Sequence, residues 1–151
     1  MRLVLQRVRR AEVRVGGRPV ASGGPGLLVL VGVGSEDAES EAARLAEKVF
    51  RLRIFEDEHG KMNRSLEEAG GDVVVVPQFT LYGDTRHGRR PSWAKAATPD
   101  VAEKRFETFS RALETLGATV HRGAFREHME VELVNDGPVT LVLDGSLTRS
   151  A

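Results

Sequence analysis

Three short stretches of the chain carry residue types that could do chemistry. The first is Pro77-Gln78-Phe79-Thr80-Leu81, where an amide and a hydroxyl interrupt apolar residues. Pro77 removes one ladder hydrogen bond, so neighbouring backbone amides are free to point into a cleft and hold an oxyanion. The plainer reading is an edge strand with Gln78 and Thr80 toward solvent. The second stretch, Gly83 to Lys95, sets Arg86, Arg89, Arg90 and Lys95 against a single acid, Asp84, and includes the only tryptophan, Trp93. Such a loop suits contacts to phosphates beside an aromatic platform; a solvated loop anchored by Trp93 fits it equally. The third, Asn135-Asp136-Gly137-Pro138-Val139-Thr140, is strong turn chemistry and on its own reads as a connection between two strands.

Other chemistries are excluded by what is missing. Cysteine is absent, so disulfides, thiolate metal sites and a cysteine nucleophile are excluded together. His59, His87, His121 and His128 form no helical pair at a spacing of four, so no metal is expected. There is no Gly-x-Ser-x-Gly elbow and no phosphate loop ending in Gly-Lys-Ser/Thr. Gly32-Val33-Gly34, with Glu56-Asp57 about twenty residues later, imitates a dinucleotide fingerprint. The third glycine position is Asp37, however, and Glu36, Asp37 and Glu39 would repel a pyrophosphate. If the chain is an enzyme, its catalysis would have to come from backbone groups, a hydroxyl or the substrate itself.

The elements that position these stretches follow from periodicity. Residues 2–8 read as a strand, and Ala11, Val13 and Val15 alternate with charges as a half-buried one, closed by a Gly16-Gly17 turn. Leu27 to Val33 is apolar throughout, as for a strand covered on both faces. A helix is predicted from about Asp37 to Arg51 on the stripe Ala42, Leu45, Ala46, Val49. Arg53 to Phe55 and Val73 to Val76 read as strands, and Gln78 to Tyr82 as the latter's resumption past Pro77. Thr98-Pro99 opens a second helix that Gly117 ends. Strands over 119–121, 129–134 and 139–143 complete the chain. Seven or eight strands, two long helices and mostly short connections predict a mainly antiparallel or mixed α+β fold.

The chain has 151 residues, 22 basic and 22 acidic, and 40 % hydrophobic residues. That is the size and composition of one soluble domain, residues 1–151, large enough to fold without a staple. Zero net charge disfavours a protein that coats DNA. No apolar run approaches a membrane span or a signal segment, so a cytoplasmic location is expected.

Together these stretches resemble the D-aminoacyl-tRNA deacylase family over nearly the whole chain. The resemblance runs through Gln6-Arg7-Val8, Gly26-Leu27-Leu28-Val29, Leu52-Arg53-Ile54-Phe55, Gly60-Lys61-Met62-Asn63, Gln78-Phe79-Thr80-Leu81-Tyr82 with Gly88-Arg89-Arg90-Pro91-Ser92, and Asn135 to Thr140. The family's first motif usually begins with serine, where this chain has Pro77. A related group with relaxed chiral selectivity also has proline there but replaces the next phenylalanine; Phe79 places this chain with the D-specific enzymes.

The resemblance implies a compact barrel-like homodimer, without cofactor, that hydrolyses the ester of D-aminoacyl-tRNA. Its partner is D-aminoacyl-tRNA, with no membrane or DNA. It implies Gln78, Phe79 and Thr80 at the catalytic centre, and Pro77 with a cis Gly137-Pro138 at the substrate. The Gly-Pro of one subunit would enter the other's pocket and exclude L side chains but not glycine, so that glycyl-tRNA mischarged on tRNA-Ala is also a substrate. Arg86, Arg89 and Arg90 are candidates for tRNA contact. The substrate's 2′-hydroxyl ranks ahead of Thr80 as the assisting group, because Thr80 has no evident base. A non-catalytic RNA-binding module built on the 83–95 loop is the alternative.

Overall fold

Leucine and valine at alternate positions, with charges between them, carry one long strand, β1 (Arg2–Val15), rather than two. Its buried face switches midway. Leu3 and Leu5 face one core, whereas Val8, Ala11 and Val13 face another. The switch falls where the pairing register shifts between Gln6 and Arg10, because one extra residue turns every later side chain to the opposite face. Gly16 and Gly17, at φ 56° and 78°, make the tight turn into β2 (Arg18–Gly23).

In this computed structural model residues 1–148 are described, and the last three residues of the expected 1–151 domain lie outside the described residues. After β2 come β3 (Gly26–Gly32), α1 (Glu41–Arg51), the short pair β4 (Phe55–Glu56) and β5 (Met62–Arg64), α2 (Leu66–Ala69), β6 (Asp72–Pro77), α3 (Pro99–Leu116), β7 (Thr119–Arg122) and β8 (Glu130–Asp144). The main sheet runs β2-β1-β3-β6-β7, and β8 pairs with β1. β1 is antiparallel to β2, β3 and β8, while β3–β6 and β6–β7 are parallel. The parallel steps are made by crossovers containing α1 and α3. β2 also approaches β6 and β7 at the far end of the order, so the sheet is nearly closed into a barrel.

Two cores follow. Helices α1 and α3 pack on each other and on Leu27, Val29, Val31, Val73 and Val75. Leu28, Val74 and Val76, the alternate residues of the same strands, join Val8, Ala11, Val13 and Ala21 in a smaller core. The mixed α+β barrel with two long helices is therefore as expected.

Four local expectations are corrected. Helix α1 begins at Glu41, not Asp37. The Asp37 carboxylate accepts the Gly34 N–H at 2.5 Å and lies 2.7 Å from the Met1 amine, which keeps Asp37 outside the helix. The strand expected at Arg53 to Phe55 lies at Phe55–Glu56. Residues Phe79–Tyr82 form a 3₁₀ turn, not a resumed strand. Finally, Asn135 to Pro138 does not separate two strands. β8 runs through it without interruption, because β1 offers ladder partners on both sides of the register shifts.

Candidate active site

The 3₁₀ turn begins where β6 runs out of partners. Gln78 N–H still donates to the Val31 carbonyl at 2.8 Å, but β3 ends at Gly32, so no ladder remains for the next residues. The chain coils instead, with Leu81 N–H on Gln78 O at 3.3 Å and Gly83 N–H on Thr80 O at 2.9 Å. Two glycines make room for this coil. A Cβ on Gly32 would lie 2.9 Å from Leu81 Cβ and 3.0 Å from Gln78 O, and one on Gly34 would lie 2.6 Å from the Tyr82 ring. The Gly32-x-Gly34 pattern that imitates a nucleotide fingerprint is thus a packing seat for the turn.

The other end of the turn is pinned by Tyr82. Its hydroxyl lies 3.2 Å from Asp37 Oδ2, and the Arg2 guanidinium sits 4.7 Å above its ring centre. Burial, and then the Asp37 carboxylate, push the phenol above its ordinary value, so it stays a hydrogen-bond donor.

The turn stands at the mouth of a cleft of about 660 Å³. Pro77, Gln78 and Phe79 line one side, Trp93 and Ala96 to Pro99 another, and Phe125 to Met129 a third. Phe79, 56 % exposed, meets Trp93 edge-to-face at 5.2 Å. Among the described residues, no acceptor takes the N–H groups of Phe79 or Thr80. The Thr80 hydroxyl accepts from Gln78 Nε2. That partner is an amide donor, not a base, and cannot remove a proton.

The structure therefore brings Pro77, Gln78 and Phe79 to one cleft, with Thr80 exposed beside them. Gly137 and Pro138 do not line this cleft within the chain. Their peptide bond is cis. They are held on β8 by β1: Gln6 Nε2 lies 3.5 Å from Asn135 Oδ1, and Arg7 Nε donates to the Asp136 carbonyl at 2.9 Å. Arg7 is only 6 % exposed and also donates to Ile54 O at 2.8 Å, so it ties β1, the segment before β4 and the Gly-Pro segment together.

Arg86 lines a separate, polar recess with Arg2, Tyr82, Asp84 and Lys95. Its Nε and Nη2 clasp both oxygens of Asp84, at 2.9 and 2.5 Å, and hold that carboxyl well below the usual carboxylate range. Arg89 and Arg90 are exposed on the loop and have no ion-pair partner among the described residues. The wall from Phe125 to Met129 was not foreseen. Its one distinctive backbone feature is Arg126 at φ 64°, paired with Asp100 at 2.7 Å, and nothing in residues 123–129 announces it. The burial of Arg7 was not foreseen either. A charged residue beside Val8 in an otherwise buried strand is the one signal that could have found it.

The described residues include no group of three His, Asp or Glu side chains placed to hold a metal, and no helix long and apolar enough to cross a membrane.

Comparison with known proteins gives the family. The family model described as D-Tyr-tRNA(Tyr) deacylase matches residues 4–144. A D-aminoacyl-tRNA deacylase of Symbiobacterium thermophilum is 57 % identical over 148 residues, 98 % of each chain. One of Heliobacterium modesticaldum is 55 % identical over 145 residues, 96 % of this chain and 97 % of that one. A solved structure described as c-Myc DNA unwinding element binding protein superimposes with a TM-score of 0.89 at 36 % identity, covering 95 % of this chain and 98 % of the other. With the family model spanning both motifs and full-length relatives sharing more than half their residues, this chain belongs to the D-Tyr-tRNA(Tyr) deacylase family and is an enzyme that hydrolyses the ester of D-aminoacyl-tRNA.

Proposed function

We propose that the ester carbonyl of D-aminoacyl-tRNA binds at the mouth of the cleft with its oxygen on the N–H groups of Phe79 and Thr80. The observation that carries this is the pair of successive amides without acceptors, beside a largely apolar cleft. Two such donors stabilise the developing oxyanion, and removal of one from a comparable site costs about 2.7–4 kcal/mol. Water adds to the carbonyl carbon, the ester C–O bond breaks, and the proton lost by water passes by way of the ribose 2′-hydroxyl to the departing 3′-oxygen. The products are free D-amino acid and tRNA. Thr80 is not the nucleophile, since its only side-chain partner is the Gln78 amide.

Chirality is assigned to Gly137-Pro138 of a second copy, in a homodimer. Among the described residues β8 is paired on one side only, and Val131, Val134 and Val142 on it are exposed, Val142 to 71 %. A long apolar edge strand of this kind is normally covered. Covering it with a second copy carries Gly137-Pro138 to a neighbouring site. Backbone there excludes an L side chain by collision and leaves glycine acceptable, so glycyl-tRNA is cleaved as well. Arg86, Arg89 and Arg90 contact the tRNA, and the 83–95 loop serves catalysis instead of acting as a separate RNA-binding module.

The test is Gly137→Ala. An added Cβ would stand 2.4 Å from Val139 N and 2.5 Å from Asn135 Nδ2, so the segment must move. The variant is expected to remain folded and to lose discrimination between D- and L-tyrosyl-tRNA, or to lose activity on both. Equal chiral selectivity in wild type and variant would refute the assignment.

A further inference from the structure

The recess on the other side of the catalytic turn enters the reading above only through Arg86. It encloses about 320 Å³ between Arg2, Tyr82, Gly83, Asp84, Thr85, Arg86 and Lys95. Two of its three cations are already committed. Arg86 is clasped by Asp84, and Arg2 donates to Asp144 Oδ2 and to the Leu81 carbonyl, each at 3.1 Å. Lys95 has no carboxylate partner among the described residues. The wall that carries it is nevertheless fixed, because Lys95 O accepts the Ser35 N–H at 3.0 Å and Asp84 and Ser92 exchange backbone bonds at 2.8 and 2.9 Å. The recess is thus a pre-arranged concave surface with one lysine outside any ion pair among the described residues and two arginines already paired with carboxylates.

Its position says what anion it fits. Phe79 at the cleft and Tyr82 at the recess are the two ends of one four-residue 3₁₀ turn, about 6 Å apart along its axis. In any aminoacyl-tRNA the reacting ester sits on the terminal ribose, and that nucleotide's own 5′-phosphodiester lies just across the sugar. An ester held at Phe79 and Thr80 therefore presents its phosphate to the recess.

We propose that this recess binds the 5′-phosphodiester of the terminal nucleotide of tRNA, with Lys95 as its charge partner and Arg2 and Arg86 as flanking donors. The assignment rests on the placement of the ester at the Phe79 and Thr80 amides. It makes the enzyme read nucleotide backbone immediately beside the chemistry, which positions the substrate without regard to sequence.

The test compares two minimal substrates, the D-tyrosyl ester of adenosine and the D-tyrosyl ester of 5′-AMP, each acylated on the ribose. Wild type is expected to favour the AMP ester about two- to fivefold in kcat/KM, the range for one exposed charge contact. In Lys95→Gln that ratio falls to about one, and Lys95→Arg restores it. With D-tyrosyl-tRNA, Lys95→Gln raises KM and makes the slope of log kcat/KM against log salt shallower by about 0.7. A wild-type ratio of one, a ratio that persists in Lys95→Gln, or an unaltered salt slope overturns the proposal. Competition by millimolar inorganic phosphate against the AMP ester but not against tRNA would also overturn it, by assigning the recess to a free anion. A wild-type kcat in a folded Phe79→Pro variant, which lacks one of the two amides, would instead overturn the placement of the ester itself.

Discussion

Arg7 offers the sharpest check on how the Gly-Pro segment is held. Its guanidinium is buried at 6 % exposure and donates to two backbone carbonyls, Asp136 O at 2.9 Å and Ile54 O at 2.8 Å. The carboxylates of Glu56 and Asp136 lie at 3.4 Å and are substantially exposed, so they add little. Hydrogen bonds from a charged donor contribute about 1.5–3 kcal/mol each, and the two carbonyls would be stranded without it. Arg7→Met, which keeps most of the packing, should therefore destabilise the protein by about 3–5 kcal/mol, which for a chain of this size is roughly 6–20 °C in Tm. Arg7→Lys should recover only part of this, because one ammonium cannot reach both carbonyls with the geometry of a planar fork. Thermal unfolding gives the first quantity. D-tyrosyl-tRNA hydrolysis, measured well below the variant's Tm, gives the second, and it should fall because Asp136 directly precedes Gly137. A variant with wild-type Tm and wild-type kcat/KM would refute the claim that Arg7 fixes this segment.

Three further outcomes follow. Thr80→Ala should keep D-tyrosyl-tRNA hydrolysis within about tenfold of wild type, whereas loss of a covalent nucleophile lowers the rate by several orders of magnitude; single-turnover assays with a search for acyl-threonine separate the two. Gly34→Ala should cost about 1–3 kcal/mol by overpacking and lower kcat with it, since its Cβ would enter the Tyr82 ring at 2.6 Å; an unchanged Tm with unchanged kcat would deny the seat. The carboxyl of Asp84 is depressed by the Arg86 guanidinium, so the clasp is complete above the ordinary aspartate value near pH 4 and is lost only as pH falls through the depressed value; an NMR titration of Asp84 with an ordinary midpoint would contradict this.

The parts of the fold that were legible in the sequence are those where local periodicity and tertiary packing agree. The apolar run of β3, the stripes of α1 and α3 and the Gly16-Gly17 turn each state their environment within a few residues. The misread parts are those where a distant residue overrides a local preference. Phe79-Thr80-Leu81-Tyr82 has the composition of a strand, yet it coils because β3 stops at Gly32 and because Gly32 and Gly34 leave space for it more than forty residues earlier in the chain. Asn-Asp-Gly-Pro has the composition of a turn, yet β8 continues through it because β1 supplies ladder partners and Arg7 takes the Asp136 carbonyl. Asp37 resembles a first-turn helix residue and is instead drawn to the Gly34 N–H.

These exceptions share an origin, and it shows how two motifs nearly sixty residues apart are held by one framework. Both hang from the β1–β3 ladder. On β3, Val31 supplies the carbonyl that takes the last ladder bond of Gln78, and Gly32 receives the turn that follows. On β1, Gln6 and Arg7, paired with Leu28 and Leu27 of β3, hold Asn135 and Asp136. The alternation of the pleat then divides the work. Leu27, Val29 and Val31 face the helices while Leu28 and Leu30 face the inner core, so the ladder is packed from both sides and cannot shift its register without exposing one set. The proposed site of backbone amides and a backbone wall needs that rigidity, since it has no flexible side chain with which to recover lost alignment. On that proposal Arg7 and Gly32, which hold the two motifs on this ladder, bear on the geometry of the site without meeting the substrate.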